Sequence, residues 1–245
     1  MKTLPKAEPL PARASTCATL DCSVCEVRHL TFCAALKDEE IGSLARLASR
    51  RRVTANELLF QEGDPADDVF NLVAGTLKLY KLLPDGRRQI TGFLFPGDFL
   101  GLASRHGYSY AAEAVSDCVL CRFPRQRLEA LFRAYPGIES RLFAYANDEL
   151  AAAQEQMLLL GRKTAIERVA SFLNRLAQRG GEPGKGAEGL PLPMSRADIA
   201  DYLGLTIETV SRTLTRLKEQ RLIDLPSPRS LVVTNAAALK ELAEG

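Results

Sequence analysis

From about residue 53 to residue 124 the chain is cut into short β-prone runs, VFNLV, TLKLYKLL, ITGFLF and CVLCRF. Between them stand the turn signals EGDP, Pro84-Asp85-Gly86 and Pro96-Gly97-Asp98. From Pro136 to about residue 179 the apolar residues instead return at intervals of three and four. These two rhythms in this order predict a compact antiparallel roll followed by a helical region. The expected fold class is α+β, opening with a β-roll (a cupin-like jelly roll).

Within the helical stretch, Phe143, Ala146, Leu150, Ala153, Met157 and Leu160 alternate steps of three and four. That is an a/d seam, the pattern of a helix that meets a partner helix, so a homodimer is expected. Upstream of the roll, Ile41, Leu44, Leu47 and Ala48 in KDEEIGSLARLAS also stand at helical spacing. Residues 1–16, rich in Pro and Ala, are expected to form a disordered tail. Residues 179–193 are Gly-rich and read as a flexible connection. Neither Gly184-Lys185-Gly186 nor GRKT at 161–164 has the G-x4-G-K-[ST] spacing of a phosphate loop.

Residues 195–221, SRADIADYLGLTIETVSRTLTRLKEQR, carry the strongest functional signal. Ser195 with Asp198 three residues on resembles a capping box that opens a helix running through Tyr202 or Leu203. Gly204-Leu205-Thr206 makes a short turn, and Thr206 can cap the next helix. There Val210, Leu214 and Leu217 face inward, while Glu208, Ser211, Arg212 and Thr215 share the outer face. This is a helix-turn-helix whose second helix presents a polar face to the DNA major groove. Arg212 suits guanine O6 and N7, Glu208 suits a cytosine amino group, and Ser211 adapts to several base edges. Arg216, Lys218 and Arg221 are placed for backbone phosphates. The following LIDLPSPRSLVVT reads as a hairpin around Pro226–Arg229, a wing.

The first 33 residues gather Cys17, Cys22, Cys25 and Cys33; Cys118 and Cys121 follow far downstream. MKTLPKAEPLPARAS has Pro and charge where a signal peptide needs an apolar run, and no stretch approaches the roughly 20 apolar residues of a membrane span. A cytoplasmic protein with reduced thiols is expected, with no membrane partner. There, Cys22-x2-Cys25-x7-Cys33 favours metal over disulfide. Spacing alone admits zinc, an iron–sulfur cluster or a thiol redox switch. The two histidines, His29 and His106, come with neither a nucleophile elbow nor a zincin motif, so no enzyme is expected. The net charge of +2 leaves room for a local basic face.

Taken in order, roll, long helix and winged helix-turn-helix resemble the CRP/FNR family of bacterial transcription regulators along nearly the whole chain. DYLGLTIETVSRTLTRL is similar to the family's recognition segment, and FNLVAGTLKLY and FPGDFLG to its roll strands. The resemblance implies a cysteine-rich arm (1–36), a β-roll sensor domain (37–135), a dimerisation helix (136–161) and a winged DNA-binding domain (162–245). Glu208, Ser211 and Arg212 match the E-x-x-S-R set of FNR-type members, whose usual target is an inverted TTGAT repeat. Cys22, Cys25 and Cys33 resemble the N-terminal trio of their oxygen-labile 4Fe–4S cluster, and Cys121-Arg122-Phe123-Pro124 resembles the segment carrying the fourth ligand. Cys17 resembles an extra cysteine that some members carry unused. Cys118 has no counterpart, and in a strand it faces away from Cys121.

The implied function is a homodimeric, oxygen-sensing activator of anaerobic or microaerobic genes. It would bind a palindromic operator and contact RNA polymerase, in this resemblance through the loop near Pro84–Arg88. The alternative keeps the DNA reading and replaces the cluster with zinc or a cysteine switch. No cyclic nucleotide is expected, because residues 97–113 supply Ser104-Arg105 where the nucleotide-binding branch has Arg-Ser or Arg-Thr further on. The register also puts Ala153 where well-known FNR-type members carry an acidic residue that opposes association.

Overall fold

The computed structural model describes residues 22–101, 107–179 and 189–245. Three short 3-10 turns over residues 22–35 lead into α1 (Ile41–Ala45). Eight strands follow: β1 (Ser49–Val53), β2 (Leu58–Phe60), β3 (Asp68–Ala74), β4 (Leu77–Leu82), β5 (Arg88–Leu94), β6 (Phe99–Leu100), β7 (Ala111–Ala114) and β8 (Cys118–Pro124). Then come α2 (Arg125–Phe132), α3 (Pro136–Arg162), α4 (Ala165–Arg179), β9 (Leu190–Pro191), α5 (Arg196–Leu203), α6 (Ile207–Glu219), β10 (Ile223–Ser227), β11 (Ser230–Val233) and α7 (Ala236–Glu244).

The roll is two antiparallel four-stranded sheets, in the orders β1-β8-β3-β6 and β2-β7-β4-β5. Alternation along each strand divides its residues between layers. Phe70 and Leu72 of β3 and Cys118 and Leu120 of β8 point between the sheets, against Phe60, Leu77, Leu79 and Tyr108. Val69, Cys121 and Phe123 leave the outer side of the first sheet, where Phe32, Leu36, Leu44, Leu128 and Ile138 cover them. Ile90, Phe93 and Ala111 leave the second sheet on its outer side and join Phe172, Leu173 and Tyr202 in the core of the C-terminal domain.

Polar groups reinforce that last junction. Lys78 of β4, 5% exposed, is ion-paired with Glu113 of β7 at 2.8 Å and with Asp198 of α5 at 3.0 Å. Arg88 of β5 bridges Asp198 at 3.1 Å and Asp201 at 2.8 Å. Gln89 donates to the Asp201 carbonyl at 2.8 Å, and Gln156 of α3 to the Tyr202 carbonyl at 2.8 Å. A further pair joins Arg179 to Asp98 at 2.7 Å. At the hinge, Arg168 donates to the carbonyls of Leu160 at 2.8 Å, Lys163 at 2.9 Å and Leu203 at 3.0 Å, satisfying the ends of two helices at once.

Three details differ from the sequence expectation. The helix before the roll stops at Ala45, because from Ser49 the chain is taken up as β1, paired residue by residue with β8. SRRRV gives no alternating signal, since only Val53 is buried. The helical stretch is also broken: α3 ends at Arg162 and α4 starts at Ala165, with extended backbone at Lys163 (ψ 145°). The short helices α2 and α7 and the two-residue β9 carry too little pattern to be read from sequence.

Candidate thiol centre and nucleic-acid interface

The arm reaches the roll through Phe32, which is fully buried against the rings of Phe99 and Phe123 at 5.5 and 5.2 Å between centroids. That anchor brings Cys33 onto the outer face of the first sheet. Cys22, Cys25, Cys33 and Cys121 then line one small cavity of about 20 Å³, together with Val27, Thr31, Asn71, Val73 and Phe123. Two chain segments almost a hundred residues apart thus present their sulfurs to one space. Burial pushes the Cys33 thiol up to about 11, with Cys22 and Cys25 adding to the rise. Burial likewise pushes Cys121 up to about 12, again with Cys25, Cys22 and Cys33 adding to it. Cys118 lies on the other side of β8, buried in the roll interior, its thiol donating to the carbonyls of Ser116 at 3.1 Å and Thr76 at 3.3 Å.

Among the described residues, no three Cys, His, Asp or Glu side chains converge as one metal ion requires. A four-iron cluster makes a different demand, since its four thiolates surround a body instead of meeting at a point. The donor set has the chemistry for such a group. The enclosed space is nearer the size of a water molecule, so a cluster fits only with the outer turns, which carry the half-buried Cys22 and Cys25, set further out. Those 3-10 turns are the side that yields, because Cys33 is buried beside the Phe32 anchor and the opposite wall is hydrogen-bonded sheet. His29 does not line the cavity.

The arm is strapped to α3. Tyr145 donates through its hydroxyl to the Leu30 carbonyl, and Arg141 to the His29 carbonyl at 3.5 Å. Ala35 lies where a Cβ on Gly137 would touch it, at 3.5 Å. Along α3, Phe143, Leu150 and Met157 are 68%, 57% and 66% exposed, and Ala146 and Ala153 are exposed on the same line. Leu160 departs from the expected seam: it is half-buried against the core of the C-terminal domain, because the last turn of α3 enters the Arg168 hinge.

In the C-terminal domain, Ser195 and Asp198 close the capping box, with the Asp198 amide donating to Ser195 Oγ at 3.0 Å and the Ser195 amide to the carboxylate at 3.1 Å. Gly204 ends α5 at φ 61°, a left-handed conformation that an L side chain resists. Thr206 caps α6 by accepting from the Thr209 amide at 3.2 Å. Val210, Leu214 and Leu217 are buried, and Glu208, Ser211, Arg212, Thr215 and Arg216 are exposed along one side. The Glu208 amide and the Thr206 hydroxyl hold the Glu208 carboxyl below the usual range, so it meets a partner as an acceptor. Lys218, expected at a phosphate, is paired with Asp224 of the wing at 2.9 Å. The wing is the β10–β11 hairpin, with Ser227 opposite Ser230 across Pro228-Arg229. Arg88, at the end of the loop that the family resemblance offers to RNA polymerase, is turned back onto α5.

Comparison with known proteins agrees with the fold. Residues 50–135 match the cyclic nucleotide-binding domain and residues 167–242 the Crp-like helix-turn-helix domain. The chain is 45% identical over 214 residues to the transcriptional activatory protein AadR of Rhodopseudomonas palustris, covering 85% of this chain and 88% of that one. It is 39% identical over 226 residues to the transcriptional activator protein FnrL of Cereibacter sphaeroides, covering 91% of each. This chain belongs to the CRP/FNR family. As a CRP/FNR protein it is a DNA-binding transcription regulator of the FNR/FixK class and not an enzyme. The structure of FixK2 from Bradyrhizobium japonicum superposes with a TM-score of 0.75 at 42% identity, covering 80% of this chain and 96% of that one. The two domain matches leave out Cys22, Cys25 and Cys33. No helix among the described residues is long and apolar enough to cross a membrane. Residues 1–16, Cys17, Ser104, Arg105, His106 and Gly184-Lys185-Gly186 lie outside the described residues.

Proposed function

We propose that this CRP/FNR regulator is an oxygen-responsive transcription activator that binds an inverted TTGAT-type operator as a homodimer in the cytoplasm. The observation that carries the sensing half is the meeting of Cys22, Cys25 and Cys33 of the arm with Cys121 of β8 around one cavity. These thiols, as thiolates, hold a 4Fe–4S cluster. When bound, the cluster supplies an oxygen-labile centre.

The chain's own residues then carry position from arm to DNA. The straps from Tyr145 and Arg141 fix the arm to the first half of α3, so where the arm sits biases where α3 sits. The exposed apolar line Phe143, Leu150 and Met157 packs against the same line of a second copy. Pairing α3 brings two α6 helices to one face, where half-sites one DNA turn apart match them. Arg212 and Glu208 read base edges, and Arg216 holds phosphate. RNA polymerase is the partner that turns binding into activation, and the exposed turn at Pro84–Arg87 is the surface offered to it.

The test is anaerobic purification with iron, sulfide and zinc analysis, followed by air exposure and footprinting on an inverted TTGAT repeat. Four irons per chain, visible absorption that bleaches in air and a footprint lost with it are expected. A colourless zinc-loaded protein with the same footprint overturns the cluster and leaves the DNA reading standing.

A further inference from the structure

Asn71 is out of character for its place. It sits in β3 between Phe70 and Leu72, is only 2% exposed, and its Oδ1 has no hydrogen-bond partner among the described residues. A buried amide with an unmet acceptor is a cost that an apolar residue would avoid. Its position explains what it is for. Asn71 lies directly opposite Cys121 in the β3–β8 register, and its Nδ2 donates to Cys33 Sγ at 3.5 Å. It also lines the thiol cavity. One side chain therefore touches the sulfur from the arm and is the cross-strand neighbour of the cysteine from the roll.

We propose that Asn71 is a positioning residue of the thiol centre, whose amide N–H stabilises the Cys33 thiolate and retains the metal cluster it holds. The proposal rests on the cluster reading above. A neutral thiol accepts a hydrogen bond weakly, whereas a thiolate bound to iron carries the negative charge that makes an N–H donor effective. Such a donor draws electron density from sulfur, which opposes loss of an electron to dioxygen, and orients the ligand on the metal. Asn71 thus costs stability in the empty protein through its unmet Oδ1, and in the loaded one the stronger bond from Nδ2 offsets that cost. A cavity water bonded to Oδ1 is the plainer account, and it predicts a side chain indifferent to iron.

The test compares Asn71→Leu, and Asn71→Ala as the variant that adds no bulk, with the wild type as full-length protein, reconstituted anaerobically. Iron loss to a chelator without oxygen, the rate of bleaching in air, and melting of the iron-free chains are measured. Iron is expected to leave the variants roughly 10-fold faster, as contacts behind a metal ligand usually cost. Bleaching accelerates with it, while empty Asn71→Leu melts no lower than the empty wild type. Equal iron retention in wild type and both variants overturns the role of Asn71 and leaves the cluster intact. A wild type that takes up no iron overturns the cluster reading, and this one with it.

Discussion

At the scale of single residues, α6 separates two kinds of basic contact. Arg212 shares its exposed side with Glu208 and Ser211, one turn into the helix, whereas Arg216 lies a turn further along. A guanidinium on guanine discriminates between bases; one on phosphate does not. Arg212→Ala is expected to weaken operator binding by about 1–3 kcal/mol and to relax selectivity at the guanine it reads. Arg216→Ala is expected to weaken binding to all sequences alike and to lower the salt slope by about 1. Titrations against the repeat and a guanine-substituted repeat at several salt concentrations distinguish them. Identical losses on both sequences for Arg212→Ala would reject the base-reading role.

Among the elements, α3 carries the most unfinished surface. Its apolar line is exposed, and Ala153 puts no charge into it. The pairing predicted for two copies is therefore expected to persist without the cluster. Two carboxylates introduced by Ala153→Asp, about 8 Å apart at an effective dielectric near 20, repel by about 2 kcal/mol, or roughly 30-fold in dimer dissociation. Sedimentation of iron-free wild type and Ala153→Asp at matched concentration checks this. A wild type that sediments as a monomer refutes an apo dimer. The arm is the weaker element: three short turns held by Phe32, by two straps to α3 and by whatever the thiols bind. That imbalance is what the proposed sensing role requires of the arm.

For the whole molecule, the roll and the DNA-binding domain are fastened by charge as well as by the shared core. Asp198 takes part in both the capping box of α5 and the bridge to Lys78 and Arg88. Burial alone raises a carboxyl's pKa, but hydrogen bonds from Ser195 and Lys78, with the Lys78 charge, outweigh it and hold Asp198 below the usual range. Unfolding therefore takes up a proton between the folded and unfolded values, and the stabilisation is complete above about pH 4 and lost as pH falls further. Thermal melts from pH 6 downward are expected to show this loss, and Asp198→Asn, which keeps a capping oxygen, to flatten it. An unchanged acid limb in that variant would assign the loss to other carboxylates. The same junction ties β4 and β5 of the roll to α5, one turn from α6.

What could be read from the residues alone was whatever depends on near neighbours in sequence. The capping box, the Gly204 turn, the inward Val210, Leu214 and Leu217 and the wing hairpin all rest on interactions spanning a few residues, so composition and spacing encode them. So did the change from strand to helical period, and the opposed facing of Cys118 and Cys121. Cys33 and Cys121 could be linked only by family resemblance; the sequence holds no physical signal that they meet. Tertiary structure decided that, as it decided the partners of Asn71, the straps from Tyr145 and Arg141, the departure of Leu160 from the seam and the Lys78–Asp198 pair 120 residues apart. Each of these depends on strand register and on how separate layers stack. A one-residue slip in register would turn Asn71 and Cys121 to opposite faces, and no local pattern around either residue would betray the change.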